Sequence, residues 1–253
     1  MKICFDNKVV LVTGASTGIG AATAIEFGKS GANVVVNYHT SKQAAESVVE
    51  KIKNVGSKAI SVKADVTQKS EVDKLVKATL EAFGTIDILV NNAGGLVGRS
   101  SLADMEVDLW HKVLDLNMTT VFLVTHAVLP IMKKQHHGRI INVASIAGRN
   151  GGGPGAGHYS ATKAALIALT KNLAKEVVGD GILVNAVNPG VITTPFHDKF
   201  TTPEVRENFK RIIPLKREGT PEEIAYSILF LASEYASYII GESIEINGGM
   251  LMD

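Results

Sequence analysis

A short apolar run that breaks directly into three closely spaced glycines constrains this chain more than anything else in it. Val9-Val10-Leu11-Val12-Thr13 is continuous, apolar and rich in β-branched residues, which suits a strand buried on both faces of a parallel sheet. Gly14-Ala15-Ser16-Thr17-Gly18-Ile19-Gly20 follows at once. Ala21 to Lys29 then carries an amphipathic helical pattern that ends near Gly31, and Val34-Val35-Val36 reads as a second strand. Strand, glycine turn, helix and strand make a βαβ unit of about the expected ~30 residues. Glycines at the turn let backbone N–H groups reach an anion at the helix N-terminus, where the helix dipole favours negative charge. The spacing G-x3-G-x-G is not the commoner G-x-G-x-x-G, so its context of strand before and helix after carries the reading of a dinucleotide site.

The alternation continues down the chain. Helices are predicted over 41–55 and 70–83, with strands over Ala59 to Val62 and Ile86 to Val90. Two helical stretches follow, around Glu106 to Leu116 and Thr119 to Lys134, before a fifth strand, Arg139 to Ala144. The loop Gly148 to Gly157 is too rich in glycine for regular structure. A helix through Tyr159 to about Val178, a strand Leu183 to Val187, an irregular or helical stretch Thr193 to Lys216, a helix Pro221 to Ala232 and a strand Ile244 to Ile246 complete the pattern. Nothing divides the chain, so residues 1–253 read as one α/β domain: a doubly wound, Rossmann-type parallel sheet of about seven strands covered by helices.

Composition narrows the function classes. A formal net charge of +1 over 253 residues leaves no basic footprint, so neither nucleic acid nor an acidic membrane surface is an expected partner. Cys4 is the only cysteine, which rules out an intramolecular disulfide and fits a reducing compartment. Met1 to Lys8 lacks the apolar core of a secretory signal, and no apolar run reaches the ~18 residues of a membrane span. The expectation is a cytoplasmic protein.

In open α/β sheets ligands sit at the carboxyl ends of the strands, where Asp65, Asn91, Ser145 and Pro189-Gly190 fall. NAD sites usually place an acid at the end of the second strand, to hold the ribose 2′-hydroxyl. Here that strand runs Val36-Asn37-Tyr38-His39-Thr40-Ser41-Lys42 without a carboxylate. Asn37, Thr40 and Ser41 could hydrogen-bond a 2′-phosphate, and Lys42 or protonated His39 could supply charge. NADP(H) is therefore favoured. Thr17 stands in the turn where a basic residue would strengthen that choice, so NAD(H) or dual use stays open. Asp65 is placed to meet the adenine edge. Each of these residues singly could instead cap a turn.

Tyr159 and Lys163 are four residues apart on a predicted helix, so they share a face one turn apart. A phenol with a reference pKa of about 10 is a poor acid or base at neutrality, and a neighbouring ammonium lowers that value. A solvated Tyr and Lys on a surface helix would have the same spacing.

Taken together, these motifs resemble the short-chain dehydrogenase/reductase family over nearly the whole chain. Thr13 to Gly20 is similar to its cofactor turn, Asn91-Asn92-Ala93-Gly94 to its fourth-strand motif, and Pro189 to Thr194 to its nicotinamide segment. The resemblance implies a catalytic set of Asn117, Ser145, Tyr159 and Lys163. Tyr159 would exchange the proton, Lys163 would lower its pKa and hold the nicotinamide ribose, Ser145 would hydrogen-bond the substrate oxygen, and Asn117 would hold a water. It also implies cofactor contacts from Gly14, Ser16, Thr17, Gly18, Ile19, Gly20, Asn37, Tyr38, His39, Thr40, Ser41, Asp65, Val66, Asn91, Ala93, Gly94, Pro189, Gly190, Ile192 and Thr194. A homotetramer is implied, with Leu215 to Asp253 resembling the tail that helps build it.

Within the family the chain resembles bacterial 3-oxoacyl-carrier-protein reductases and glucose 1-dehydrogenase-like sugar and sugar-acid enzymes. The carrier-protein reductases dock an acidic partner through arginines at positions that hold His136 and Asp180 here, and Asp180 would repel such a partner. Arg99, Arg149, Asn150 and His158 make the substrate side polar. The expected substrate is thus a small polar carbonyl or alcohol such as a sugar, sugar acid or keto-uronate, with a 3-oxoacyl carrier-protein substrate as the alternative. A non-catalytic NADP-binding protein could afford to lose Tyr159 or Lys163, and both are present.

Overall fold

The computed structural model describes residues 3–252 and, within residues 195–200, the side chains of 195, 196 and 200. Met1 and Lys2 of the N-terminal stretch and Asp253 of the tail lie outside the described residues. The order is β1 (Val9–Val12), α1 (Gly18–Lys29), β2 (Asn33–Tyr38), α2 (Lys42–Asn54), β3 (Ala59–Lys63), α3 (Lys69–Phe83) and β4 (Ile88–Asn91). Next come α4 (Val107–Leu114), α5 (Thr120–Gln135), β5 (Gly138–Val143), α6 (Ala147–Asn150), α7 (Gly157–Val177) and β6 (Ile182–Pro189). Then follow α8 (Pro195–Phe200), α9 (Pro203–Ile212), α10 (Pro221–Ala232) and β7 (Ser243–Ile246). The strands form one seven-stranded sheet in the order β3-β2-β1-β4-β5-β6-β7, and every pairing is parallel.

Period-two alternation sends successive residues to opposite faces, and both faces are covered. Val10, Val12, Val34, Val36, Val90 and Ile141 pack with Phe27 of α1, Ile52 of α2 and Ile224, Ile228 and Leu231 of α10. Leu11, Val35, Leu89, Ile140 and Val184 pack on the other side with Leu75 of α3, Val124, Val128 and Met132 of α5, and Leu173 and Val177 of α7. That double burial is why the strands read as unbroken apolar runs rather than alternating ones. The order in which strands are added reverses between β1 and β4, so the crevice at their carboxyl ends is the topological switch point where such folds take ligands.

The two stretches expected around 106–116 and 119–134 are one continuous helical run. α4 passes into α5 through a π-helical turn, Asp115–Thr119, with no glycine or proline between them to break it. The run Val107–Gln135 is long and apolar enough, by length and composition, to cross a membrane, which corrects the expectation that no stretch reaches that size. Here it lies on the sheet, with Val113, Val121, Val124, Val128 and Met132 buried. A second difference is α6, one helical turn inside the glycine-rich loop, ended by Gly151 at φ 83°.

Candidate active site

Three strand ends build the crevice. Thr13, just past β1, accepts on Oγ1 from the Asn92 and Ala93 backbone N–H groups, both at 3.0 Å. Asn92 Nδ2 donates to the Thr13 and Gly14 carbonyls at 2.9 and 3.0 Å. From the other side, Gly14 N donates to Asn37 Oδ1 at 3.1 Å, and Ala15 N to the Asn37 carbonyl at 2.8 Å. The glycine turn is thus stapled to both neighbouring strands. Gly14 and Gly18 hold φ of 60° and 56°, left-handed values that disfavour a residue with a Cβ. Gly18 faces Thr194, whose Cγ2 would stand 3.4 Å from an added Cβ, so the segment after β6 lies over the turn. Thr17 precedes α1 with no side-chain cap, and the first turn of that helix holds no acid. Ser16, Thr17, Ile19 and Gly20 therefore open a helix N-terminus suited to an anion.

Several expected cofactor contacts are corrected. Asn37 is buried, and its Nδ2 donates to the Ala64 carbonyl at 3.1 Å while its oxygen holds the glycine turn. It has no reach to a 2′-phosphate. Tyr38 is buried in the core. Because both faces of the sheet are covered, the first residues free to meet a ligand lie beyond the strand: His39, Thr40 and Ser41, all exposed. Asn91 is likewise turned inward, donating from Nδ2 to Asn142 Oδ1 at 2.9 Å and Thr125 Oγ1 at 3.0 Å. Val66 and Ile192 pack their side chains in the core, which leaves backbone for a ligand. Asp65 accepts from Thr67 N and Oγ1 on one oxygen, and its other oxygen lies 4.0 Å from His39 Nε2.

The four expected catalytic residues converge. Asn117 sits in the π-helical turn, a feature that often marks functional sites. Its Nδ2 donates to the Val113 carbonyl at 2.9 Å, taking an oxygen that a regular α-helix would bond from the backbone. The same amide pairs with Gly95 N and O at 3.0 and 2.8 Å. With its side chain so engaged, Asn117 has only its backbone to hold a water. Lys163 Nζ donates to the Val143 carbonyl at 2.8 Å and stands 5.7 Å from the Tyr159 ring centroid. Ser145 Oγ accepts from the N–H of Ala147, the first residue of α6, at 3.1 Å and hydrogen-bonds Tyr159.

Electrostatics here departs from the simple expectation. Burial pushes the Tyr159 phenol above its ordinary range, and the hydrogen bond from Ser145 pulls it back. Burial brings Lys163 down to about 8. The ammonium donates to Val143 and lies over the ring, so Ser145 is the group in direct hydrogen-bond contact with the phenol, and Lys163 acts on it through its charge at a distance.

The residues expected on the substrate side are mostly engaged elsewhere. Arg149 pairs with Glu245 at 3.0 Å. Arg99 donates to the Pro154 carbonyl at 2.9 Å and to the Phe200 carbonyl at 3.4 Å. Asn150 Oδ1 accepts from Gly152 N at 2.9 Å. His158 is buried, with Nε2 3.1 Å from the Gly98 carbonyl and Nδ1 without a partner. Asp180, expected to repel an acidic partner, is paired with Lys133 at 3.3 Å. What does stand beside Tyr159 is aromatic. Phe196 of α8 lies 6.0 Å from it, centroid to centroid, and Phe200 lies 5.2 Å from Phe196.

Comparison with known proteins agrees with this geometry. A family model described as enoyl-(acyl carrier protein) reductase matches residues 14–251. The chain belongs to the short-chain dehydrogenase/reductase family. A 3-oxoacyl-[acyl-carrier-protein] reductase of Synechocystis sp. is 48% identical over 246 residues, covering 97% of each chain. One from Thermotoga maritima is 42% identical over 247 residues, covering 98% of this chain and 99% of its own. Among solved structures, a 7α-hydroxysteroid dehydrogenase complexed with NADH and 7-oxoglycochenodeoxycholic acid superposes with a TM-score of 0.94 at 33% identity, covering 100% of this chain and 97% of its own. An NADH-dependent reductase responsible for alginate metabolism gives 0.91 at 35%, covering 98% and 99%.

As a short-chain dehydrogenase/reductase, the protein is an oxidoreductase of carbonyl and alcohol groups that works with a nicotinamide dinucleotide. The crevice fits that cofactor. A Cβ on Gly94 would stand 2.7 Å from Asn117 Oδ1 and 3.2 Å from Lys163 Nζ, so bare backbone lines the floor beside the ammonium. Sequence reasoning did not single out Asn92, Phe196, Phe200 or Glu245. Strand parity could have found Asn92, since Asn91 and Asn92 cannot both turn inward. The phenylalanines lie in a stretch whose periodicity carries no clear element.

Proposed function

We propose that this short-chain dehydrogenase/reductase reduces the 3-oxo group of an acyl thioester to the hydroxyl, with NADPH preferred. The observation that carries this reading is the aromatic wall of Phe196 and Phe200 beside Tyr159, which suits an acyl chain better than a sugar. The near full-length similarity to 3-oxoacyl-[acyl-carrier-protein] reductases supports it. The reading of a small polar substrate rested on the polar loop Gly148 to His158, with Arg99, and on Asp180; Arg99, Arg149 and Asp180 are all engaged within the protein.

The bound dinucleotide supplies the hydride that goes to the carbonyl carbon. Tyr159 donates its proton to the carbonyl oxygen, a general-acid role. With substrate in place Ser145 would turn its single O–H from Tyr159 to the same oxygen, as negative charge develops there. Lys163 keeps two N–H groups beyond its bond to Val143 that would hold the cofactor ribose, and the Asn117 backbone would hold a water linking this ammonium to solvent. At the adenosine end, exposed His39, Thr40, Ser41 and Lys42 receive the 2′-phosphate.

Steady-state kinetics on a panel of 3-oxoacyl thioesters, keto sugars and keto-uronates, each with NADPH and NADH, test both parts. The expected result is a kcat/KM for the thioesters at least ~10²-fold above the polar ketones, the scale of a well-matched apolar contact, and a lower KM for NADPH. Preference for a keto-uronate would refute the substrate assignment, and preference for NADH would refute the role given to His39 to Lys42.

A further inference from the structure

Glu245 lies on the edge strand β7, yet its side chain is 13% exposed. Oε1 accepts from Arg149 Nη1 at 3.0 Å and from Asn188 Nδ2 at 2.6 Å, and Oε2 accepts from Asn247 Nδ2 at 3.1 Å. A carboxylate is acceptor-only and suits three converging donors, where an amide would turn an N–H against one of them.

The three donors come from three segments, two of which adjoin Ser145. Arg149 is on α6, the turn whose first residue donates to Ser145 Oγ. Asn188 immediately precedes Pro189-Gly190, and Ile146, next to Ser145, donates its backbone N–H to the Pro189 carbonyl at 3.0 Å. Asn247 begins the C-terminal turn, accepting from Gly249 N at 3.0 Å. A Cβ on Gly190 would stand 2.7 Å from the Asn247 Cβ, so the turn is seated flush on the nicotinamide segment. β7 itself is already held to β6 by its parallel pairing. The edge strand does not need a buried charge for its own anchorage, and burying one carries a desolvation penalty.

We propose that Glu245 is a positioning residue: its carboxylate ties α6 to the Asn188–Gly190 segment and so sets Ser145 at its working distance from the nicotinamide face. The proposal rests on the role given above to Ser145 and is independent of which carbonyl compound is reduced.

The test is Glu245→Gln in the full-length enzyme, assayed with whichever carbonyl substrate the wild type turns over fastest. Failure of the thioester assignment therefore leaves it intact. The expected result is a fall in kcat of ~10-fold or more, within the ~10²-fold that misplaced reacting groups can cost. NADPH affinity, read by fluorescence titration, falls by less than kcat does, since the glycine turn is untouched while the nicotinamide segment is loosened. In alcohol oxidation the rising limb of the pH–kcat/KM profile, which reports the free enzyme, moves to higher pH, because a displaced Ser145 no longer holds the Tyr159 phenol down. Arg149→Ala removes one arm of the same tie and is expected to move the limb in the same direction. The double variant is expected to lose less than the two single losses combined. Should the glutamine variant fail to fold, Arg149→Ala decides by the same readouts. Turnover within about twofold of wild type, or a loss of turnover with an unmoved limb, overturns the proposal.

Discussion

A lysine held almost out of reach of water governs how this site responds to pH. Lys163 is 4% exposed, and burial lowers it to about 8 from an unfolded value near 10.5. The unfolded chain therefore binds more protons than the native one between about pH 8 and 10.5. The destabilisation is fully present below pH 8 and is relieved as pH rises through that window. Lys163→Met, similar in length and uncharged, is expected to melt above wild type at pH 7, with the gap closing above pH 8, in thermal scans of the protein without dinucleotide. A variant that melts lower at pH 7 would show that the bond to Val143 outweighs the desolvation. Tyr159→Phe tests the neighbouring role. It is expected to cut kcat by at least ~10²-fold, the low end for a lost general acid, while leaving dinucleotide binding near wild type in titration. Near-normal turnover would remove Tyr159 from the chemistry. Sequence located this pair correctly, because helical spacing alone puts Tyr159 and Lys163 on one face. How Lys163 and Ser145 share the tuning of the phenol is not written in the spacing, because the direction of an ammonium is set by the carbonyl it finds, here Val143.

Among the elements, α10 shows how much local chemistry can be read before any coordinates. Thr220 and Glu223 cap it reciprocally, with Pro221 in its first turn, and the sequence-expected bounds Pro221 to Ala232 are the observed ones. Thr220→Ala is expected to destabilise by about 1 kcal/mol, the usual worth of an N-cap, read from the denaturation midpoint. Arg217 and the Thr220 N–H hold Glu223 down to about 2. Its contribution is present above the unfolded carboxylate value and fades as pH falls from about 4.5 toward 2. Acid titration of Glu223→Gln is expected to lose that part of the slope, and an unchanged acid limb would show the pair to be screened. The strands were equally legible, since buried parallel strands are unmistakable apolar runs. The π-helical turn at Asn117 and the single turn of α6 were not. Both depend on side-chain bonds, Asn117 to Val113 and Ser145 to Ala147, that no period in the sequence encodes. The inward turn of Asn37 escaped notice for a related reason, since a polar residue at a strand end looks the same whether it faces solvent or braces a neighbouring loop.

At the scale of the whole molecule, two exposed apolar surfaces call for a partner. Val107 and Phe122 flank the π-helical turn on one side, with Trp110 nearby, and Tyr226, Tyr235 and Tyr238 are exposed around α10 and its following turn. Patches of this kind mark association surfaces in proteins that would otherwise be single chains. We expect a homotetramer, which light scattering would read as four times the 26.9 kDa of one chain, with Phe122→Glu shifting it to smaller species. A wild type that runs as one chain at micromolar concentration would rule the tetramer out. The strand order has a separate consequence for how the chain is made. Synthesis delivers β1, β2 and β3 first, and these three pair with one another on one side of β1. The other side of β1 waits for β4, which ends at Asn91. Until that residue clears the ribosome, β1, destined for the interior of the sheet, is a bare edge with open backbone donors and acceptors, and such edges recruit other chains. The glycine turn that later grips the dinucleotide hangs from that same strand, still lacking the Asn92 staple, so the nascent chain is most prone to aggregate before it has any capacity to bind cofactor.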